Sequence, residues 1–363
     1  MKTTDILIAG GGPAGLCAAI NAAKSGANVT LVERSENLGG QLVKQTHMFF
    51  GSQKQHASLR GIDISEILKT ELNQYSDRIK IMTDATVLGI YEDGVVTIES
   101  RNKYVKLKPS AIIVATGASE KFLAFPNNDL PGIYGAGAVQ TLMNVHGVAP
   151  GQNVVMVGAG NIGLIVSYQL LQAGIKVKAI IDAAPKIGGY LVHASKIQRM
   201  GIPIYTSHTV KRAHGKESLE SVTICELDDK WQQKEGTDKI IEADVLCISV
   251  GLSPLAELLW QSGCTMKYIP ELGGHVPDRD INHRTSLPNL YVAGDVAGVE
   301  EASSAMVSGR LAGLCASKSL GFELPNYEDE RDDLHQQLLD LRSGPVGEKI
   351  RCGLEQVECK RFE

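Results

Sequence analysis

The sequence has no closely spaced pair of cysteines, and this absence excludes several kinds of redox centre. Its 363 residues include seven cysteines, of which the two nearest are separated by six residues. The seven are Cys17, Cys225, Cys247, Cys264, Cys315, Cys352 and Cys359. A redox-active C-x-x-C disulfide and the cysteine motifs of iron–sulfur or zinc sites are therefore not expected, and we predict no bound metal. Because the cysteine count is odd and Met1-Lys-Thr-Thr leads straight into an apolar strand, we expect reduced thiols and a cytoplasmic location.

A strong net charge and a long apolar segment are also missing. The chain has 36 Lys and Arg residues against 41 Asp and Glu residues, a net charge of −5, which gives no electrostatic reason to expect nucleic acid or an anionic membrane as partner. No charged residue lies between Leu130 and Ile175, but Gly, Asn, Gln and Pro interrupt this stretch, so it predicts no membrane span. The composition, 43% hydrophobic and 21% charged, is typical of a soluble globular protein.

What the sequence does contain is one glycine fingerprint written twice. Asp5-Ile-Leu-Ile-Ala-Gly-Gly-Gly-Pro-Ala-Gly15 leads to Glu33, and Asn153-Val-Val-Met-Val-Gly-Ala-Gly-Asn-Ile-Gly163 leads to Asp182. From the third glycine to the acid is 33 − 15 = 18 positions in the first copy and 182 − 163 = 19 in the second. In each copy a short apolar run predicts a buried parallel strand, followed by a glycine turn and a helix.

This pattern is typical of a site that binds a dinucleotide. The first glycine permits a tight turn, the second lets the backbone approach a pyrophosphate, and the third lets helix and strand pack closely. The glycines are Gly10, Gly12 and Gly15 in the first copy and Gly158, Gly160 and Gly163 in the second. The start of the helix offers free N–H groups to the phosphates. A glycine turn that has lost its ligand is the alternative for each copy.

The acid of each copy is predicted to bind the adenosine ribose. Glu33 and Asp182 each follow a second strand, where a carboxylate accepts hydrogen bonds from the ribose hydroxyls. A carboxylate there repels a 2′-phosphate. No arginine lies between Asp182 and Gly189, where only Lys186 could offset the charge. The second copy is therefore expected to prefer NAD over NADP.

Further strand-to-glycine junctions indicate how the two copies are arranged along the chain. Ala111–Gly117 closes the first copy, Ala243–Gly251 closes the second, and Leu290–Asp295 is a third junction before a helix of small residues at Glu300–Leu320. The predicted fold class is α/β, with two Rossmann-like dinucleotide-binding domains of three layers each, the second inserted in the first. The predicted domains are residues 1–118 with 254–326, residues 119–253, and a helical tail at 327–363 that docks on the body or on a partner.

As an ordered set, these motifs resemble the pyridine nucleotide–disulfide oxidoreductase superfamily, and in particular its thioredoxin-reductase-like branch. The motifs are Gly10-x-Gly-x-x-Gly15, Gly39-Gly-Gln-Leu42, Ala115-Thr-Gly117, Gly158-x-Gly-x-x-Gly163 and Gly294-Asp295. The resemblance covers about residues 3 to 322. It implies FAD in the outer domain and a nicotinamide nucleotide, predicted as NAD, in the inserted one.

The resemblance also implies a role for individual residues. For FAD the predicted residues are Gly10, Gly12, Pro13, Ala14, Gly15, Glu33, Arg34, Gly40, Gln41, Val87, Thr116, Gly117, Gly294, Asp295, Ala302 and Ser303. For NAD they are Gly158, Gly160, Asn161, Ile162, Gly163, Asp182 and Gly251. Asp295 would bind the ribityl chain, and the helix that begins near Ala302 would direct its positive end at the flavin. No catalytic residue is predicted.

Two departures from the superfamily pattern narrow the function. The positions that hold a C-x-x-C pair in thioredoxin reductases are occupied here by Gly135–Met143, and those of the glutathione-reductase type by Gly39–Gln45. Leu130–Leu142 and Thr285–Gly298 are most similar to a disulfide-free subgroup, the flavin subunits of opine oxidase, hydrogen cyanide synthase, sarcosine oxidase and dye-linked proline or hydroxyproline dehydrogenases.

Three functions follow from these expectations. The first is a dehydrogenase subunit that moves electrons between NAD(H) or an amine or amino-acid substrate, the flavin, and a partner subunit or electron-acceptor protein. The second is an NAD(P)H:ferredoxin-type reductase. The third is a structural subunit in which the nucleotides hold an assembly together. For the first two functions we expect a small-molecule substrate, and association of the chain with copies of itself, as a homo-oligomer, is compatible with both.

Overall fold

In the computed structural model the chain forms two compact units, and residues 2–345 and 347–359 are described. The first unit comprises the chain up to Val43, residues Met48–Ser119 and the chain from Leu252 onward, and the second comprises Lys44–His47 and Glu120–Gly251. Each unit has parallel strands covered by helices. The predicted fold class, two Rossmann-like domains with the second inserted in the first, is therefore confirmed.

The described residues form the following strands and helices. The strands are β1 (Lys2–Ala9), β2 (Val29–Val32), β3 (Ile79–Met82), β4 (Ala85–Ile90), β5 (Val96–Ser100), β6 (Lys103–Val114), β7 (Ala118–Glu120), β8 (Ile133–Gly135), β9 (Asn153–Val157), β10 (Lys176–Ile181), β11 (Ile204–Tyr205), β12 (His208–His214), β13 (Ser221–Glu226), β14 (Lys239–Glu242), β15 (Val245–Ile248), β16 (Leu252–Pro254), β17 (Met266–Ile269), β18 (Gly274–Pro277) and β19 (Leu290–Val292). The helices are α1 (Pro13–Lys24), α2 (Gly61–Asn73), α3 (Ala136–Asn144), α4 (Asn161–Gln172), α5 (Leu191–Arg199), α6 (Glu257–Gln261), α7 (Ala302–Ser319), α8 (Tyr327–Leu341) and α9 (Glu348–Leu354).

The first unit is built on a seven-stranded sheet. Its order is β3-β2-β1-β6-β5-β4, and β19 pairs with the end of β6. The strands β1, β2, β3, β6 and β19 are parallel, whereas β4 and β5 are antiparallel to their neighbours. The apolar run Ile6–Ala9 is buried on both faces, because Ile6 and Ile8 pack against helices and Leu7 and Ala9 pack against the β4–β5 side. Burial on both faces explains why this strand has no alternation of polar residues.

The second unit repeats the architecture of the first. Its five-stranded parallel sheet has the order β11-β10-β9-β15-β8, and β12, β13 and β14 form a separate antiparallel sheet. Strands β9, β10 and β15 thus occupy the places that β1, β2 and the end of β6 hold in the first unit. In both units the fingerprint strand lies between the strand that carries the acid and the strand that closes the copy. In open α/β sheets, ligands bind at the carboxyl ends of the strands at the place where the strand order reverses, which is here the end of the fingerprint strand.

Helices α1 and α7 of the first unit meet at unusually short range. A Cβ added to Gly309 would lie 2.1 Å from the carbonyl oxygen of Ala14, and one added to Gly313 would lie 2.2 Å from that of Ala18. Glycine at both positions lets the two backbones touch. The start of α1, which carries the first fingerprint, is therefore positioned directly by α7.

The tail helices α8 and α9 belong to the first unit. The side chains of Tyr327, Leu334 and Leu338 are buried in the same apolar cluster as α1 and α7. The charge run at residues 328–333 is partly used in this docking, because Glu330 pairs with Lys24 at 2.9 Å and Asp333 pairs with Lys54 at 2.6 Å. Along the described ranges, no helix combines the length and apolar character needed to cross a membrane.

Candidate functional site

The first glycine of each fingerprint occupies a backbone position that only glycine fits. Gly10 has a φ of +114° and Gly158 a φ of +109°. A Cβ on Gly10 would lie 2.3 Å from the carbonyl oxygen of Ala115, and one on Gly158 would lie 2.1 Å from that of Ser249. Because these contacts are with backbone atoms, a side chain cannot be accommodated by a rotamer change.

The third glycine allows the helix to approach the turn. A Cβ on Gly15 would lie 1.8 Å from the carbonyl oxygen of Gly10, and one on Gly163 would lie 2.0 Å from that of Gly158. The two copies therefore agree at the level of individual atoms. Each helix begins immediately beside its strand, as a dinucleotide turn requires.

The second glycine of each copy faces open space. Gly12 and Gly160 have ordinary φ values of −76° and −75°. A Cβ on Gly12 would meet only the Cα of Gly40, at 3.8 Å, and no described atom lies within 4 Å of a Cβ on Gly160. Pro13 and Asn161 begin the adjoining helices, whose first-turn N–H groups have no acceptor within the helix. The residues present thus fit a pyrophosphate, and so a dinucleotide, in each copy.

The acid of the first copy holds the glycine turn in place. One carboxylate oxygen of Glu33, Oε2, accepts a hydrogen bond from the N–H of Gly11 at 2.6 Å. The other, Oε1, accepts from the N–H of Ser35 at 2.8 Å. A carboxylate has about four acceptor positions, so two remain for a ribose. Glu33 is therefore a clamp for the turn as well as a candidate ribose ligand.

The acid of the second copy makes the same two bonds. Asp182 accepts from the N–H of Ala159 at 2.6 Å through Oδ2 and from the N–H of Ala184 at 2.8 Å through Oδ1. Because the shorter aspartate reaches the same turn amide as Glu33 does, the equivalence of the two copies extends to the acids. The sequence did not predict this clamping role. The donors are the backbone N–H groups of Gly11 and Ala159, at a position where the fingerprint allows any residue.

We call the glycine turn and the acid of each copy its cradle, namely residues 10–15 with Glu33 and residues 158–163 with Asp182. In the first copy Gly39 and Gly40 pack over the cradle. The N–H of Gly39 donates to the carbonyl of Gly11 at 2.8 Å. A Cβ on Gly40 would lie 2.7 Å from the Cα of Gly12. These two glycines therefore form one wall of the site at the open second glycine.

In the second copy the Gly188-Gly189 element forms the corresponding wall. The N–H of Gly189 donates to the carbonyl of Ala159 at 2.9 Å. The next residue, Tyr190, donates its N–H to Oδ1 of Asn161 at 2.8 Å. This second bond has no equivalent in the first copy, where the helix begins with Pro13. The side chain of Asn161 thus positions the wall.

The third junction of the first unit lies against the start of α1. Gly294 has a φ of +71°, and a Cβ there would lie 2.8 Å from the Cβ of Ala14. Its N–H donates to Oγ of Ser308 on α7 at 3.0 Å. The structure therefore brings Gly294 and Asp295 to the same edge of the sheet as the first fingerprint, although they are about 280 residues away in sequence.

Asp295 is a carboxylic acid in an unfavourable place for a charge. Burial, together with the neighbouring carboxylates of Glu300 and Glu301, raises its pKa to about 7, although a backbone N–H from Glu300 opposes the shift. That N–H lies 3.4 Å from Oδ1. A ligand with hydroxyl donors would compensate this carboxylate, so the donor set fits a ribityl chain.

The other predicted FAD residues lie in the first unit with different degrees of exposure. Thr116 is half-buried and donates to the carbonyl of Leu255 at 2.8 Å. Val87 is half-buried on β4, whose first residue, Ala85, donates its N–H to the carbonyl of Glu33. At the start of α7, Ala302 is half-buried and Ser303 is buried, whereas Arg34 and Gln41 are exposed.

The predicted NAD residues all lie in the second unit. Besides the turn and Asp182, Ile162 is 40% exposed on the first turn of α4. Gly251 has a φ of +115° and accepts from the N–H of Lys121 at 2.9 Å. It holds the place after β15 that Gly117 holds after β6.

The second unit has a polar cluster that no linear motif indicates. Oε1 of Glu120 accepts a hydrogen bond from the N–H of Gly137 at 2.6 Å, and Nζ of Lys44 donates one to the carbonyl of Gly137 at 3.0 Å. Burial lowers the pKa of Lys44, against the opposing effect of the Glu120 carboxylate. Gly137 follows strand β8 in the second unit as Asp295 follows strand β19 in the first. The carboxylate of Glu120, which comes from a different part of the chain, therefore lies at the position that corresponds to Asp295. Because Glu120 is distant from the fingerprint in sequence, sequence reasoning did not find this cluster.

The cysteines of the described chain are unpaired, and most of them are buried. Five of the seven are buried, and no disulfide links any of the cysteines, all of which fall within the described ranges. Burial raises the pKa of Cys17 to about 11 and that of Cys315 to about 12. A thiol with so high a pKa is a poor nucleophile at neutral pH.

Several curated proteins are similar to this chain over most of its length. The alpha subunit of sarcosine oxidase from Corynebacterium sp. (strain P-1) is 29% identical over 88% of this chain and 33% of its own. One of the opine oxidase subunits from Agrobacterium tumefaciens (strain Ach5) is 27% identical over 87% of this chain and 66% of its own. The HcnB subunit of hydrogen cyanide synthase from Pseudomonas aeruginosa is 25% identical over 98% of this chain and 81% of its own. The chain thus spans between one third and two thirds of the length of the first two.

Solved structures share the fold. L-proline dehydrogenase from P. horikoshii superposes with a TM-score of 0.71 at 24% identity, over 91% of this chain and 59% of the other. Thioredoxin reductase from T. acidophilum superposes with a TM-score of 0.70 at 24% identity, over 88% of this chain and 99% of the other. Both chains have the two-domain architecture found here.

A family match covers both cradles. The sequence model of the pyridine nucleotide-disulphide oxidoreductase family matches residues 4–309, which include both glycine fingerprints, Glu33, Asp182 and Asp295. Members of this family are FAD-binding oxidoreductases. The chain therefore belongs to the pyridine nucleotide-disulphide oxidoreductase family and is an oxidoreductase.

Proposed function

We propose that the first unit binds FAD and that the chain is the flavin-carrying subunit of an amine or amino-acid dehydrogenase. The observation that carries this proposal is the construction of the first cradle. It combines open space at Gly12, a turn clamped by Glu33, and a carboxylate, Asp295, that lacks compensation without a ligand. The remaining residues predicted for FAD from the sequence are proposed as its further contacts.

When bound, FAD accepts a hydride from a substrate and releases the electrons to an acceptor. The chain's own residues position and polarise it. Gly12 leaves room for the pyrophosphate, and the N-terminal amides of α1 face it. Asp295 accepts hydrogen bonds from hydroxyl donors, and the positive end of α7, which begins at Ala302, stabilises negative charge nearby.

We propose that the second unit binds NAD rather than NADP. Gly160 leaves space for a pyrophosphate, and Asp182 is held in place by two backbone amides. A fixed carboxylate accepts two ribose hydroxyls but repels a 2′-phosphate. Lys186, the first cation after Asp182 in sequence, is exposed and gives little compensation in water.

The names of the relatives suggest the substrate class. Sarcosine and L-proline, after which two of the similar proteins are named, are amino acids with a secondary amine. Oxidation of the C–N single bond to a C=N bond would release a hydride from carbon and a proton from nitrogen, and a flavin held by the first unit would supply the hydride acceptor. The proposed substrate is accordingly an amino acid with a secondary amine.

The electrons must then leave by a route other than a thiol pair. The cysteines of the superfamily's disulfide sites are missing, and the buried cysteines have raised pKa values. Relatives of this chain are named as subunits. We therefore propose a partner subunit or an electron-acceptor protein as the exit.

Anaerobic titration of the purified flavoprotein tests these proposals. Bleaching of the yellow flavin absorbance marks reduction of the cofactor. We expect sarcosine or proline to bleach it. Bleaching by NADH alone would contradict the amino-acid assignment, and purified protein without any flavin would contradict the FAD site.

An NADH-dependent reductase of ferredoxin type is the second candidate. The open space at Gly160 favours it, because nothing in the packing of the described residues requires a glycine there, whereas a bound pyrophosphate would. A Gly160→Ala variant separates the two functions. The variant should lose reduction by NADH while keeping reduction by an amino acid, since the new Cβ occupies the proposed pyrophosphate space without backbone strain. A chain that neither reductant affects, but that copurifies with a second protein, would indicate the structural role.

A further inference from the structure

The tail of the chain reaches the neighbourhood of Asp295 through one ion pair. Arg342, directly after α8, donates from Nε to Oε2 of Glu300 at 2.9 Å and from Nη2 to Oε1 at 2.8 Å. The two side chains are only 10% and 11% exposed. A bidentate pair at this depth has a fixed geometry, because both forks are planar and little solvent screens them.

Glu300 is in turn connected to Asp295. Its backbone N–H lies 3.4 Å from Oδ1 of Asp295. Asp295 itself lies in the 3-10 turn Gly294–Ala297, which ends three residues before Glu300. The same short segment therefore carries the candidate flavin ligand at one end and the partner of Arg342 at the other. A shift of Glu300 would move the backbone N–H whose hydrogen bond Asp295 accepts.

The end of the tail is also fixed by several contacts. The carbonyl of Arg342 accepts a hydrogen bond from Nη1 of Arg351 on α9. A Cβ on Gly347 would lie 1.9 Å from that carbonyl oxygen, so this part of the backbone is tightly packed. Arg279, which is 1% exposed, pairs its backbone with Val357 and Cys359. Arg342 is thus held from behind and cannot easily follow Glu300 if that segment moves.

We propose that Arg342 is a positioning residue of the flavin site: by pairing with Glu300 it fixes the turn that carries Asp295, and it neutralises a carboxylate that otherwise repels the one on Asp295. This inference rests on the proposed FAD site in the first unit. It assigns the C-terminal helix a role in cofactor binding, which the family motifs do not contain. Arg342 does not itself touch the cofactor in this proposal.

The charges around Asp295 support this role. Glu300 and Glu301 both raise its pKa. The elements packed against the 294–297 turn are α1, α7, β16 and β18, and they add no other carboxylate. Their titratable groups are Cys17 and Lys24 on α1, Arg310, Cys315 and Lys318 on α7, and His275 on β18. Arg342 is therefore the cation that pairs directly with Glu300, and the guanidinium of the buried Arg279 adds a second electrostatic contribution near that carboxylate.

The decisive experiment measures FAD binding to the ligand-free full chain as a function of pH. Hydroxyl donors favour the ionised form of Asp295, so the affinity of the wild type should rise as the pH rises through about 7. Arg342→Met keeps the length of the side chain but removes its charge. We expect it to weaken FAD binding by about tenfold at neutral pH and to shift the rise toward higher pH, because an uncompensated Glu300 opposes a second negative charge.

A rescue distinguishes the charge effect from simple loss of the tail. In Glu300→Gln/Arg342→Met the repelling carboxylate is gone, so affinity and pH midpoint should return toward those of the wild type, and Arg342→Lys should lie between the two. Glu330→Gln is the matched control, because it breaks the ion pair of α8 with Lys24 and should leave FAD binding unchanged.

The possible results separate this inference from the proposed function. If the wild type binds FAD but Arg342→Met binds it equally well, or if the double variant is not rescued, Arg342 has only a structural role and the inference is wrong. If the wild type does not bind FAD at all, the proposed function fails and this inference fails with it.

Discussion

At the scale of single residues, the two glycine fingerprints separate structural from ligand-related constraints. The first and third glycines are required by backbone contacts within the protein, whereas the second faces open space. The three glycines of a fingerprint are therefore needed for two different reasons, close backbone packing and space for a ligand. Only the second glycine should report on a ligand, because a methyl group there makes no close contact: the nearest described atom lies 3.8 Å from a Cβ on Gly12, and none lies within 4 Å of a Cβ on Gly160.

This difference predicts opposite outcomes for two neighbouring substitutions in the second unit. Gly160→Ala should leave the melting temperature nearly unchanged and weaken NADH binding by about tenfold. Gly158→Ala should destabilise the unit by about 3 kcal/mol or more, since it places a Cβ 2.1 Å from a backbone oxygen at positive φ. Thermal unfolding and NADH fluorescence titration measure the two effects. A large loss of stability in Gly160→Ala would contradict the open cradle.

The raised pKa of Asp295 predicts a stability effect in the protein without ligand. Its pKa is about 7 in the folded chain and ordinarily 3.8, so ionisation is disfavoured by folding. Stability is consequently lost as the pH rises from about 4 to about 7. Asp295→Asn should therefore be more stable than the wild type at pH 8 and similar to it near pH 4. The same variant should bind FAD more weakly, and Asp129→Asn, at an exposed turn, serves as the control in both measurements.

The acid clamp predicts a further loss of function in the second cradle. Asp182→Asn replaces one acceptor oxygen by an N–H₂ group, which faces an N–H donor of Ala159 or Ala184. Loss of such a bond costs about 1–3 kcal/mol when the donor stays buried. We expect lower stability of the second unit and weaker NADH binding, measured by melting with and without NADH. Lys186→Gln, an exposed neighbour, should change neither if NAD is the ligand.

At the scale of secondary-structure elements, sequence patterns with a strong local cause were predictable and those set by packing were not. The strand before each fingerprint lies where the apolar run indicates, and the small residues predict a helix at Glu300–Leu320, which the structure has at Ala302–Ser319. By contrast, α3 was not predicted, because Ala136–Asn144 has few strong helix signals and forms against the second unit's sheet. Strand β6 begins at Lys103, eight residues before the apolar run, because its polar half pairs with β5.

The candidate site shows the same division. The glycine turns and the acids follow from one contiguous motif each. The clamp amides, Ser308 and Glu120 do not, because each reaches the site through tertiary structure. The small residues of α7 were visible in the sequence, but only the structure shows that Gly309 and Gly313 bring it against α1.

The contact between α1 and α7 predicts a graded response to alanine. Gly309→Ala places a Cβ 2.1 Å from the backbone oxygen of Ala14 and should destabilise the first unit by about 3 kcal/mol. Gly353→Ala in α9 is the comparison, because its nearest neighbour, at 2.7 Å, is a side-chain atom of Leu272 and not a backbone atom. Chemical denaturation should show a clearly smaller loss for Gly353→Ala. Equal losses would mean that the helix contact is less tight than described.

At the scale of the whole molecule, one architecture is used twice with different additions. The first unit adds the tail helices and the Asp295 junction, and the second adds Asn161 and the Glu120 cluster. Among the described residues each unit has separate apolar clusters, three in the first and two in the second. Separate cores allow a ligand to stabilise one unit without the other.

Hydrogen exchange should therefore resolve the two ligands by unit. FAD is expected to slow amide exchange at residues 10–15 and 294–303, and NADH at residues 158–163 and 182–190. The reason is that each ligand covers the first turn of its own helix. Mass spectrometry of peptides from the two regions, with each ligand alone, measures this. Protection of residues 10–15 by NADH alone would contradict the proposed assignment.

The strands that leave and re-enter the first unit have a practical consequence for protein engineering. The N–H of Leu255 donates to the carbonyl of Gly117 at 3.0 Å, so the chain departs and returns at neighbouring positions of that unit. A short turn in place of residues 120–251 would join Ser119 to Leu252 without stretching the backbone. The insertion can thus be treated as an exchangeable cassette, and other nucleotide-binding modules could be grafted at the same two cut points.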